Sequence, residues 1–274
     1  MAGLRLVRAL VLGAGWVGGL TGAAYGLLSG QSRRARTIIG KARGLPLNAD
    51  GVYLPDGRGP VADEPAEVLS FMVLGDSLAA GLGAETPCRL PGVILARGLA
   101  ARSGRPVRLT THAMSGSRTT DLAAQVDLAL IDPPELVFVI VGGNDVTTRK
   151  RVRTSAEALG RHVCRLMREG STVVVGTCPD LDIIQPIPQP LRTVASRWGL
   201  ALARAQRREL IRVGAHPVSV AALISPEFRR RPRELFSEDR FHPNGAGYEL
   251  AAKVMLGPLC DAAGLSGRGE LTHR

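Results

Sequence analysis

Val73-Leu74-Gly75-Asp76-Ser77-Leu78-Ala79-Ala80-Gly81 decides how this chain is read. The apolar run Phe71 to Leu74 stops abruptly at Gly-Asp-Ser, and small residues follow. That is the pattern of a buried strand ending in a tight turn, with a helix starting just after it. Ser77 therefore stands at the carboxyl end of a strand, the edge where ligand sites gather in open α/β sheets. A helix N-terminus close by offers backbone N–H groups to negative charge. Taken alone, the same residues also suit an ordinary turn in which Asp76 or Ser77 caps the next helix.

Moving outward, apolar runs alternate with helical patterns. Val68 to Leu74, Val107 to Ala113, Leu136 to Val141, Thr172 to Gly176 and Pro217 to Val220 read as strands. Pro91 to Ser103, Thr120 to Leu130, Ser155 to Glu169, Leu191 to Val213 and Gly245 to Leu259 read as helices. Leu136 to Val141 has no polar residue, which suits a central strand covered on both faces. The alternation predicts an α/β fold with a parallel five-stranded sheet and helices on both faces.

The chain has 274 residues and 45% hydrophobic content, enough to bury a full core as one domain plus extensions. With 4% aromatics, aliphatic residues and alanine must fill that core. The net charge of +11 raises nucleic acid or an anionic membrane as partners. The arginines, however, are scattered through predicted helices rather than gathered beside aromatics. No zinc-finger, RNA-recognition or P-loop pattern occurs, so no nucleic-acid partner is expected.

Residues 1–43 form a separate N-terminal segment. Ala9 to Leu28 carries no charge and follows Arg5 and Arg8, and its length is close to a bilayer span. Three readings stand: a secretory signal, an uncleaved anchor, or a glycine-rich helix packed on the domain. Arg33, Arg34, Arg36, Lys41 and Arg43 follow the run, a bias toward a cytoplasmic C-terminal domain if the segment spans. Membrane association through residues 9–28 or export to the cell envelope is expected, with the cytoplasmic face left open. Residues 44–66, broken by proline and glycine, read as a linker. Residues 67–262 read as the catalytic domain and 263–274 as a tail.

Three further stretches supply chemistry. Ser115-Gly116-Ser117-Arg118 follows the second predicted strand, and Gly142-Gly143-Asn144-Asp145 follows the third. Both fall on the same sheet edge as Ser77. Gly116 can present a backbone N–H unobstructed, and Asn144 a side-chain amide. Such donors are what acyl transfer needs where an oxyanion develops. Asp239-Arg240-Phe241-His242-Pro243 offers the base that a serine nucleophile requires. Asp239, three residues before His242, can hold the imidazole tautomer.

These blocks, in this order, resemble the SGNH (GDSL-type) serine hydrolase superfamily, over roughly Glu67 to Leu259. The first block, Gly75-Asp76-Ser77-Leu78, matches its nucleophile motif. The apolar N-terminus resembles that of exported or membrane-associated actinobacterial esterases of the group. The resemblance implies a flavodoxin-like three-layer α/β/α sandwich and hydrolysis of small-molecule or lipid-like carboxylic esters, with no cofactor and no metal. Ser77, Asp239 and His242 would be the catalytic residues. The N–H groups of Ser77 and Gly116 would hold the oxyanion together with Asn144. The second block lacks the family's frequent asparagine before the glycine, with His112 nearby instead. A membrane-associated acyltransferase, a thioesterase, a glycan deacetylase or a non-catalytic binding module would fit the same scaffold.

Other features carry less. His112, His162, His216 and His273 show no metal-ligand spacing. Cys88, Cys164, Cys178 and Cys260 form no Cys-x-x-Cys and are open to pairing or to remaining reduced. Arg149 to Arg153 reads as a solvated helix start, and Gln185 to Pro190 as a loop that shapes a substrate pocket.

Overall fold

The computed structural model describes residues 22–23, 25–39, 47–62 and 67–265. Most of the apolar run 9–28, together with Lys41 and Arg43, lies outside them. What is described there is a helix, α1 (25–39). Among the described residues no helix is long and apolar enough to cross a membrane.

All five expected strands are present, joined by a sixth. In chain order they are β1 (Gly51–Tyr53), β2 (Leu69–Gly75), β3 (Val107–Thr111), β4 (Leu136–Ile140), β5 (Thr172–Gly176) and β6 (His216–Val218). The described strands lie in the order β1-β3-β2-β4-β5-β6. β2 to β6 are mutually parallel, and β1 adds antiparallel to β3 from within the stretch read as a linker. The sheet is thus mixed and mostly parallel.

Between the strands run α2 (Pro91–Ser103), α3 (Leu122–Ala129), α4 (Gly143–Thr147), α5 (Val152–Arg168) and α6 (Leu191–Val213). After β6 come the short helices α7 (Val220–Leu223), α8 (Ser225–Arg230) and α9 (Pro232–Leu235), then α10 (Gly245–Ala262). The α7–α9 run has no clear helical period, so its sequence predicts no helix there.

Strand alternation sorts the side chains into two layers. Phe71 and Val73 of β2, with Phe138 and Ile140 of β4, face α2 and α10, packing with Leu95, Leu99, Met255 and Leu259. Met72, Leu74, Val137 and Val139 face the other way, against Leu122 and Val126 of α3 and Leu159 and Val163 of α5. Burying two full faces explains why β4 reads as uninterrupted apolar sequence.

The topology places the site. From β2 the chain runs to β3 on one side, then crosses to β4 on the other. The carboxyl end of β2 is therefore the point where the connections diverge, and a crevice opens there.

Candidate active site

Ser77 sits just past β2 at that divergence. Gly75 makes the turn with φ +138°, and a Cβ there would collide with the Ile140 carbonyl. Asp76 donates its backbone N–H to that same carbonyl at 3.1 Å, so the strand end is pinned to β4 as the chain turns. Ser77 follows with its side chain buried, 6% exposed.

His242 comes from the loop before α10. Its Nε2 lies 3.0 Å from Ser77 Oγ, across 165 residues of sequence. Its Nδ1 lies 2.6 Å from Asp239 Oδ2. The other carboxylate oxygen, Asp239 Oδ1, accepts from Ser237 Oγ at 2.8 Å and from the N–H groups of Phe241 at 2.8 Å and His242 at 2.9 Å. Burial pushes the Asp239 carboxyl up, but these hydrogen bonds and the His242 ring outweigh it and hold the group well below the usual carboxylate range. Asn244 caps α10, accepting from Gly247 N–H at 2.9 Å, and so fixes where the histidine loop ends.

Asn144 opens α4 just past β4. Its Nδ2 donates to the Ser117 carbonyl at 3.0 Å, leaving a second amide hydrogen. That bond ties α4 to the turn Met114–Ser117, exposed at 114–116 and buried at Ser117, and closed by Ser117 N–H to Met114 O at 3.1 Å. Gly116 lies in this turn with φ +85°, a conformation glycine adopts without strain. The fold thus brings Ser77, Asp239 and His242 into one hydrogen-bonded chain. Asn144 shares a cavity with Ser77, while Gly116 stands outside that cavity on the turn held by Asn144.

Several supporting residues escaped the sequence reading. Gln125 of α3 is buried; its Oε1 accepts from Gly75 N–H at 2.7 Å, and its Nε2 donates to Gly75 O at 2.9 Å and Ser117 Oγ at 3.1 Å. It clamps the serine strand to the glycine turn. Its only sequence signal is a polar residue inside the stripe Leu122, Val126, Ala129. Asp145 accepts from Thr119 N–H at 2.9 Å and from Ser155 Oγ at 2.6 Å. Asp76 accepts from Leu78 N–H at 3.0 Å. Burial pushes its carboxyl up to about 7, against that N–H and His242, which pull it down.

An apolar cavity of about 110 Å³ opens beside Ser77. Leu95, Phe138, Ile140, Ile184, Phe228 and Met255 are among its walls. Ile183 and Ile184, just before the Gln185–Pro190 loop, line it, whereas no residue of Arg149–Arg153 does. The four cysteines are free thiols.

Residues 73–250 match the GDSL-like lipase/acylhydrolase family. The chain is 42% identical over 251 residues to a GDSL-like esterase of Mycobacterium tuberculosis, covering 88% of this chain and 80% of the relative. Among solved structures, the psychrotrophic esterase EstA of a Pseudoalteromonas species superposes with a TM-score of 0.57 at 17% identity, over 70% of this chain and 97% of that one. A lipase/acylhydrolase of Enterococcus faecalis gives 0.57 at 18% identity, over 71% and 95%. At such identities these two structures speak for the fold alone.

Proposed function

This chain belongs to the GDSL-like lipase/acylhydrolase family and is an ester-bond hydrolase, and from that premise we propose that it works through an acyl-enzyme on Ser77, with His242 as base and Asp239 orienting the base. The observation that carries the proposal is the unbroken hydrogen-bonded chain from Ser77 Oγ through the His242 ring to Asp239, beside an apolar cavity.

Asp239 stays ionised and accepts from Nδ1–H, so Nε2 of the neutral ring keeps its lone pair toward Ser77. As Ser77 Oγ attacks the ester carbonyl, its proton passes to Nε2 and the ring becomes imidazolium beside the Asp239 carboxylate. The negative charge moves to the carbonyl oxygen. The Ser77 and Gly116 N–H groups and the free hydrogen of Asn144 Nδ2 are the donors for that oxyanion. Collapse expels the alcohol, which takes the proton from Nε2. Water then attacks the acyl carbonyl and gives one proton to the same nitrogen; collapse breaks the bond to Ser77 Oγ, which takes the proton back from Nε2 as the acid leaves. The cavity takes the acyl chain of a small carboxylic ester, since its walls are apolar and it adjoins the nucleophile.

Treatment with a fluorophosphonate followed by peptide mass spectrometry tests this. The adduct is expected on Ser77, and Ser77→Ala should lose nearly all esterase activity while keeping the wild-type melting temperature. An adduct confined to any other residue would overturn the assignment.

A further inference from the structure

Ser225, the first residue of α8, also lines the cavity beside Ser77. It is 1% exposed, and its Oγ has no hydrogen-bond partner among the described residues. The other polar side chains of that wall are engaged. Asp76 accepts from Leu78 N–H, Asn144 donates to Ser117 O, Asp180 accepts from Ser196 Oγ and Tyr248 donates to Leu82 O. Arg229, on the same short helix as Ser225, bonds Asp180 at 3.1 Å and so holds α8 against the loop after β5. Ser225 thus carries a buried hydroxyl without a partner among the described residues, on a mostly apolar wall where Asn144 keeps one free amide hydrogen.

A buried hydroxyl without a partner bears the full cost of its desolvation, and such groups in native proteins call for an explanation. Rotation about one Cα–Cβ bond carries Oγ between its staggered positions, and a hydroxyl can donate or accept. A cavity of roughly 150 Å³ holds a benzene molecule; at about 110 Å³ this one has room for a short chain.

We infer that the cavity is built for a short acyl chain bearing one oxygen substituent, a hydroxyl or an oxo group, which pairs with Ser225, making Ser225 a specificity-determining residue. The inference rests on the reading of Ser77 as nucleophile and of the cavity as the acyl site. A plain alkyl chain would leave the serine hydroxyl desolvated and unpaired, whereas an oxygenated chain satisfies it.

The test is hydrolysis of ethyl pentanoate, ethyl 3-oxopentanoate and ethyl 4-oxopentanoate by the full chain, followed by pH-stat, in wild type, Ser225→Ala and Ser77→Ala. Dividing each oxo ester's kcat/KM by that of pentanoate, and then comparing enzymes, cancels the intrinsic reactivity of the esters. For at least one oxo ester that ratio should fall roughly 3- to 10-fold in Ser225→Ala, the range of one net hydrogen bond, mainly through KM. Ser225→Ala should hydrolyse pentanoate at least as well as wild type, which also shows that it folds. Unchanged ratios for both oxo esters would overturn the inference while leaving Ser77 in its role. Hydrolysis that persists in Ser77→Ala would overturn the nucleophile reading and this inference with it, and no hydrolysis of any of the three esters by wild type would overturn this inference.

Discussion

Asp76 and Asp239 are both carboxylates of one site, and their surroundings push them in opposite directions. Around Asp239, burial is outweighed by the His242 ring and by backbone N–H donors, so the charged form is held. Around Asp76, burial wins and the neutral form is favoured up to about 7. The partition of donors on Asp239 makes a sharp expectation for Asp239→Asn. Three donors, Ser237 Oγ and the N–H groups of Phe241 and His242, converge on Oδ1. An asparagine must keep its carbonyl oxygen there and turn its NH₂ toward Nδ1. The ring would then carry its proton on Nε2, where it cannot accept from Ser77. A loss in kcat approaching about 10⁴ is expected, the cost of the corresponding change in the serine protease triad, with the melting temperature little altered. Steady-state kinetics on one soluble ester check this, and an unchanged kcat would remove Asp239 from the mechanism. Because its carboxyl is held so low, Asp239 should add no inflection to the pH–rate profile above about pH 4.

At the scale of elements, α1 is a docked part of the fold. Gln31 holds the chain entering α6: its Nε2 donates to Gln189 O at 2.5 Å and its Oε1 accepts from Leu191 N–H at 3.1 Å. Ala35 is buried in the core shared with α2 and α10. Arg36 donates to Thr147 O at 3.3 Å, and Arg149 lies over the Tyr25 ring, its Cζ 5.4 Å from the centroid. The helix thereby joins the end of α4, which carries Asn144, to the loop that precedes α6. Gln31→Ala in the full chain deletes both backbone clasps. With each net hydrogen bond worth about 0.5–1.5 kcal/mol, and about 2–4 °C per kcal/mol for a domain of this size, a drop of several degrees in melting temperature is expected by calorimetry. An unchanged value would mean that α1 lends the domain no stability. Of this, the sequence carried only the observation that a glycine-rich helix packed on the domain was one of three readings.

At the scale of the whole molecule, the buried Asp76 ties stability to pH. An unfolded Asp titrates near ~3.9, while in the folded chain the value rises to about 7. Between these the folded state holds more protons, so this contribution to stability is full below about pH 4 and is lost as pH rises through about 7. Asp239 acts in the reverse sense, lending stability that is lost only as acid protonates it, below about pH 4. Asp76→Asn keeps an oxygen for Leu78 N–H and removes the titration, so its melting temperature should fall less than that of wild type between pH 5 and pH 8. Parallel curves in the two proteins would show that Asp76 does not titrate in that window. The sequence by itself determined the sheet class, the five parallel strands and the strand-end positions of Ser77, Gly116 and Asn144, because side-chain periodicity and turn residues are local and report directly which faces are buried. Tertiary structure alone decided the pairing of β1 with β3, the clamp of Gln125, the docking of α1, and the cavity with its lone Ser225 hydroxyl. It also decided that His242 meets Ser77 across 165 residues. These depend on contacts between segments far apart in the chain and on how side chains fill shared volume, which no local pattern of residues records.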